Sequence, residues 1–183
     1  MDRGNCETDR RQNFNLSTVY ETPQFSNLRM RALGTGWKVS GIVRILSGSH
    51  LTVTNGLDRA LDGYPSRQRP DLVLIDPYAP NKSTNQWLNP AAFAQPALGT
   101  YGNSARNAYD GPGFRTIDLG LVRQFGLPGN RRIEARVEAF NALNWFLLGN
   151  PVVNLSAANF GRITTFSNIT DPRVMQFAMK YEF

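Results

Sequence analysis

The sequence predicts an all-β fold, namely antiparallel strands of a transmembrane β-barrel, about five of them in an incomplete barrel with long extracellular loops. Three observations predict it. The last eleven residues, Arg173 to Phe183, alternate by twos: Met175, Phe177, Met179, Tyr181 and Phe183 fall on one side, and Gln176, Ala178, Lys180 and Glu182 on the other. The apolar side ends in two aromatics, where a soluble domain usually frays into a polar tail. Second, the mean hydropathy is negative and no run nears the ~18 apolar residues of a spanning helix, a filter that alternating barrel strands pass beneath. Third, charges such as Lys38 and Arg44 recur in mid-strand, costly in a dry core but tolerable in a water-filled lumen.

In chain order, the first strand is expected over about residues 12–21. Phe14, Leu16, Thr18 and Tyr20 share one face, Asn13, Asn15, Ser17, Val19 and Glu21 the other, and Pro23 ends it because proline cannot donate to a ladder. A connection through Gly34-Thr35-Gly36 leads to a second strand over about 36–47, with Trp37, Val39, Gly41, Val43 and Ile45 opposite Lys38, Ser40, Ile42, Arg44 and Leu46. Residues 48–113 show no sustained periodicity and are punctuated by Pro65, Pro70, Pro77, Pro80, Pro90, Pro96 and Pro112, so a long loop is expected. Within it Trp87-Leu88 and Ala91-Ala92-Phe93 are anchors for packing, and Pro90–Ala94 suits a brief helix.

The third and fourth strands form a hairpin over about 114–125 and 131–141. Ile117, Leu119 and Leu121 oppose Asp118, Gly120 and Val122; Ile133, Ala135, Val137 and Ala139 oppose Arg132, Glu134, Arg136 and Glu138. A second long loop, about 142–172, leads to the last strand, about 173–183. Connections then alternate short and long, the pattern of periplasmic turns and extracellular loops. With Phe183 at the periplasmic rim, the turns near Leu28 and Gly129 are periplasmic, and Tyr20, Trp37 and Phe125 join Tyr181 and Phe183 in an aromatic girdle. Arg132, Glu134, Arg136, Glu138, Lys180 and Glu182 are expected to line the lumen as ion pairs, with Asp118 among them.

Other chemistries lack their residues. The net charge of +6 is spread singly or in pairs such as Arg10-Arg11, with no basic and aromatic cluster of a nucleic-acid motif. Cys6 is the single cysteine and His50 the single histidine, so no usual zinc site can be built. His50 reads as a solvated loop residue without a catalytic role, and Gly111-Pro112-Gly113 lacks the glycines and context of a phosphate loop. Calcium among Asp58, Asp62 and Asp71 finds no EF-hand spacing. No catalytic, cofactor-binding or metal site is therefore expected, and no enzyme. No apolar stretch follows Met1–Cys6, so no signal or transit peptide is expected at this N-terminus.

An ordered set of landmarks carries a resemblance. Asp2-Arg3-Gly4-Asn5-Cys6 with Asp9-Arg10-Arg11 and Phe14, then Gly36-Trp37-Lys38-Val39-Ser40-Gly41, Arg69-Pro70-Asp71 and Gln86-Trp87-Leu88-Asn89-Pro90-Ala91-Ala92-Phe93 open it. Arg136-Val137-Glu138-Ala139-Phe140-Asn141, Asn159-Phe160-Gly161-Arg162 and Asp171-Pro172-Arg173 continue it. The set resembles the C-terminal barrel of TonB-dependent outer-membrane receptors, in the Oar-like branch with a carboxypeptidase-regulatory-like domain. The resemblance implies a non-catalytic piece of a transporter in the outer membrane of a Gram-negative-type bacterium. It implies as partners the outer-membrane lipid, the missing plug and upstream strands, TonB through the missing N-terminal part only, and the barrel assembly machinery, which would read the Phe177–Phe183 signal. The expectation is thus a receptor fragment for uptake or surface handling of a large substrate. The alternative is a secreted β-sandwich or adhesin-like module that binds glycan or protein; it requires every apolar strand face to meet another sheet.

Overall fold

The computed structural model describes residues 4–167 and 171–183. Asp2 and Arg3 of the N-terminal landmark and residues 168–170 of the second long loop lie outside the described residues. The chain divides into two compact units.

One unit is the sheet, residues 13–45, 115–146 and 169–183. Its strands are β1 (Asn13–Glu21), β2 (Trp37–Leu46), β7 (Phe114–Leu127), β8 (Arg131–Phe140) and β9 (Val174–Glu182), in the spatial order β1-β2-β7-β8-β9. Antiparallel pairing sets Leu119, Leu121 and Phe125 opposite Ala139, Val137 and Ile133, and these opposite Met175, Phe177 and Tyr181. These apolar residues thus stand beside their like, whereas Ala135 and Met179 share their row with Arg123. The hairpin between β7 and β8 is tighter than the alternation suggests, because β7 continues to Leu127 and the turn closes through Gly129 (φ 77) and Asn130 (φ 59). Both residues adopt the left-handed region that such turns require.

The connection near Leu28 is not a bare turn. It contains a short helix, α1 (Leu28–Gly34), whose first turn is capped by Asn27 accepting from the Arg29 amide at 3.0 Å. Its end is closed from the sheet: the Trp37 indole donates to the Leu33 carbonyl at 2.7 Å, and the Arg123 guanidinium donates to the Ala32 carbonyl. Gly36 (φ 81) lets the chain turn back into β2, where a side chain would collide with the Gln124 carbonyl.

The other unit, residues 1–12, 46–114 and 147–168, gathers the two long loops. Two short antiparallel pairs brace it: β3 (His50–Leu51) with β6 (Tyr109–Asp110), and β4 (Asp71–Leu72) with β5 (Phe93–Ala94). The expected brief helix is a single 3₁₀ turn at Pro90–Ala92, capped by Asn89. Leu51, Val53, Leu88, Ala92, Phe93, Tyr109 and Phe160 form the core. Phe93 is its hub, meeting Tyr109 and Phe160 edge to face with centroids 5.3 and 5.5 Å away. Loops lacking periodic secondary structure here acquire a core of their own, drawn from segments far apart in sequence. Phe93→Ala is therefore expected to cost this unit about 3–5 kcal/mol. Limited proteolysis of the protein in detergent should then show rapid cutting within residues 48–113 while the sheet stays protected.

Candidate functional site

The sheet presents two chemically different faces. On the apolar face Met175, Phe177, Met179 and Tyr181 of β9 run beside Ala139, Val137, Ala135 and Ile133 of β8. These side chains are uncovered: Phe177 is 70% and Met179 77% exposed. Exposed apolar side chains in a contiguous row mark a surface that meets something other than water. Leu119, Val39, Ile45, Leu16 and Phe14 are exposed as well, and a Cβ on Gly41 of β2 would contact both Thr18 of β1 and Leu119 of β7, so these three strands turn the same alternation to the same side.

The opposite face is ion-paired. Arg136 lies 3.0 Å from Glu134 and 3.7 Å from Glu138, Lys180 lies 2.7 Å from Glu182, and Arg132 also pairs with Glu182. Gln124 of β7 donates to Glu134 at 3.0 Å. The six expected charged residues are thus brought together in one ladder on β8 and β9, which Gln124 joins from β7. Asp118 is not part of that ladder. It meets Arg44 of β2 at 3.4 Å and accepts the Asn141 amide at 2.8 Å. Lys38 pairs with Glu21 at 2.9 Å. Being exposed, such pairs contribute little each, but they leave the face wettable without isolated charges. Above Gly120 a depression of about 220 Å³ opens, since Ser17, Ser40 and Gly120 are small where their neighbours are large.

The expected girdle residues collect at one end of the sheet. Phe125, Ile133 and Tyr181 share a row; Tyr181 stacks on Phe183 at 6.1 Å; and the Thr22 amide, two residues past Tyr20, donates to the Trp37 carbonyl at 2.9 Å. Arg123 lies among them with its guanidinium 4.7 Å from the Trp37 ring and 4.8 Å from that of Phe125. Sequence reading did not single out Arg123, and it met Asn141, at the opposite end, only as the close of a landmark run. Asn141 is left-handed (φ 47) and 2% exposed, and its side chain both donates to the Trp145 carbonyl and accepts the Trp145 amide at 3.0 Å. The signal was present as an asparagine directly after a strand, the residue type that tolerates this conformation and bonds its own backbone.

Among the described residues no cluster of His, Cys, Asp or Glu is arranged to hold a metal. The calcium candidates are instead tied to protein donors. Asp58 accepts the Asp62 and Gly63 amides, Asp62 accepts the Tyr64 amide and the Tyr101 hydroxyl, the buried Gln68 side chain bridges both carboxylates at 2.6 Å, and Asp71 accepts the Asn103 amide. His50 is not solvated. It is 9% exposed and its Nδ1 stands 2.8 Å from Asp110, its cross-strand neighbour.

Residues 1–176 match the family described as outer membrane beta barrel domain. The chain belongs to this family. Its place is accordingly the bacterial outer membrane, reached with strands, and no helix among the described residues is long and apolar enough to cross one. No curated protein and no solved structure matches the chain. Among the described residues the sheet of this barrel-family chain is not closed: β1 and β9 each pair on one side only.

The Asp58–Asp62 loop of the barrel protein has a pH signature. The Tyr64 amide, with Gln68 and Tyr101, holds the Asp62 carboxyl below the ordinary aspartate range, and Asp62 in turn raises the Tyr101 hydroxyl. A lowered folded-state value means that ionised Asp62 stabilises the loop above the unfolded-state pKa, and that this support is lost as pH falls through the folded value. Hydrogen exchange is expected to show the Tyr64 amide protected at neutral pH and opened in acid below the usual carboxylate range, with Asp62→Ala open at both.

Proposed function

We propose that the chain is a non-catalytic segment of a TonB-dependent receptor barrel, of the Oar-like kind, serving uptake or surface handling of a large substrate. The observation that supports it is the two-faced sheet with two unpaired edges. An exposed apolar row fits hydrocarbon; an ion-paired row behind it fits a water-filled lumen; and edges at β1 and β9 that are open among the described residues fit further strands of a larger barrel. The landmark residues from Arg69 to Arg173 resemble that receptor branch in order. A β-sandwich would need another sheet over the apolar face, whereas Phe177 and Met179 are exposed.

In this reading Met175, Phe177, Met179, Tyr181 and Phe183 face lipid and offer the assembly machinery an edge strand to pair with. Tyr20, Trp37 and Phe125 sit at the periplasmic interface, and the six ladder charges line the lumen. The two long loops are then extracellular, and their own core makes them a preformed surface. TonB engages only through an N-terminal region and plug that these residues do not supply.

Two outcomes test the reading. The chain refolded in detergent should show heat-modifiable migration on electrophoresis, and in water alone it should aggregate; a monodisperse, sharply unfolding monomer in plain buffer would sink the proposal. In lipid, Phe177→Arg should lower the unfolding free energy by about 2–4 kcal/mol, while Gln176→Arg, on the lumen side beside Glu138, should change it little. Equal losses at these neighbouring positions would show that the facing is wrong.

A further inference from the structure

Helix α1 buries none of its side chains in the protein, although three of its seven residues are large and apolar: Leu28, Met30 and Leu33 are 77%, 53% and 73% exposed. A helix this short is marginal in water, and what holds it is polar, the Asn27 cap and the bonds from Trp37 and Arg123 to its last carbonyls. Both of these residues belong to the apolar side of the sheet. Arg123 shares a row with Ala135 and Met179, and Trp37 has the parity of Gly41, where a Cβ would contact Leu119. The helix is thus fastened, within the same compact unit, to the side on which Phe177 and Met179 are exposed. Its charge is one-sided. Residues 22–36 hold Arg29 and Arg31 and no aspartate or glutamate. Both arginines are exposed and neither meets a carboxylate among the described residues; Glu21, the acid just before this segment, is paired with Lys38 at 2.9 Å.

We propose that α1 docks on anionic phospholipid head groups and carries the membrane contact of the apolar face past the ends of β1 and β2. Leu28, Met30 and Leu33 enter the interfacial layer, and Arg29 and Arg31 pair with lipid phosphates. A zwitterionic head group brings its own cation to the phosphate and leaves the two guanidinium charges without net compensation, whereas an anionic one supplies it. A protein partner fits less well. Seven residues make a helix only about 10 Å long, short of the roughly 800 Å² that each side of a stable protein interface covers. The inference rests on the proposed reading in taking the apolar face to meet lipid and this rim to be periplasmic.

The test is amide hydrogen exchange on the full chain refolded into vesicles, with heat-modifiable migration confirming the fold of each sample. One set of vesicles is phosphatidylcholine alone; the other mixes phosphatidylcholine with phosphatidylglycerol. The readout is the peptide covering residues 28–34, which includes the Arg31 amide bonded to the Asn27 carbonyl at 2.7 Å. Its exchange is expected to slow about tenfold or more when phosphatidylglycerol is present, with the gain fading in high salt. Arg29→Gln combined with Arg31→Gln should abolish that gain, and so should Leu28→Gln combined with Leu33→Gln. All four side chains are exposed, so both variants should keep the parent migration. Equal exchange in the two kinds of vesicle, or a gain that either double variant keeps in full, would overturn the proposal while leaving the heat-modifiable sheet, and with it the receptor reading, intact.

Discussion

The sheet depends on the register of three neighbouring strands. Leu121 beside Val137 beside Phe177, and Gly120 beside Glu138 beside Gln176, are adjacent rows with opposite chemistry. Because side chains alternate with period two, a slip of one residue on β8 would send Arg132, Glu134, Arg136 and Glu138 to the apolar side and break the Arg132–Glu182 pair and the Gln124–Glu134 bond that cross between strands. The tight turn through Gly129 and Asn130 fixes that register for β7 and β8, and the Arg132 contact to Glu182 secures it for β9. The weak Arg132–Glu182 pair, because it crosses between strands, gains a role as a registration mark.

The loop unit solves a different problem, which is to order a long stretch with little secondary structure. Asparagine and glutamine side chains take over the work of the missing ladders. Asn107 exchanges bonds with Asn5 and Thr52, Gln68 holds two carboxylates and the Ala60 amide, and Asn55 caps its own turn. Burying these amides is tolerable because most of their polar atoms find partners. Phe93 and its two aromatic neighbours then provide the apolar centre that gives the hydrogen bonds a dry environment.

How much of this could be read in the sequence follows from how local each feature is. Period-two alternation is a property of adjacent residues, so the five strands and their facing were legible to within a residue or two at most ends. The ion-pair ladder was legible as a set because its members share a parity. Helix α1 was not, since seven residues with no buried side chain leave no periodic trace, and its stability lies in the distant Arg123 and Trp37. The loop core was opaque for the same reason: Leu51, Phe93, Tyr109 and Phe160 meet only after long chain excursions. His50 and Asp118 were assigned wrong surroundings because their partners, Asp110 and Arg44, lie on other segments.

Arg123 carries one more consequence. It shares its row with Ala135 and Met179 on the apolar face, yet its guanidinium lies over Trp37 and reaches the end of α1. A cation on a membrane-facing surface is tolerable only where its stem can run along apolar neighbours while its head stays wet. In the proposed barrel this residue is a waterline: it sets how deeply the sheet can sink, with α1 floating at the boundary and the Leu119, Ala139 and Met175 row submerged beyond it.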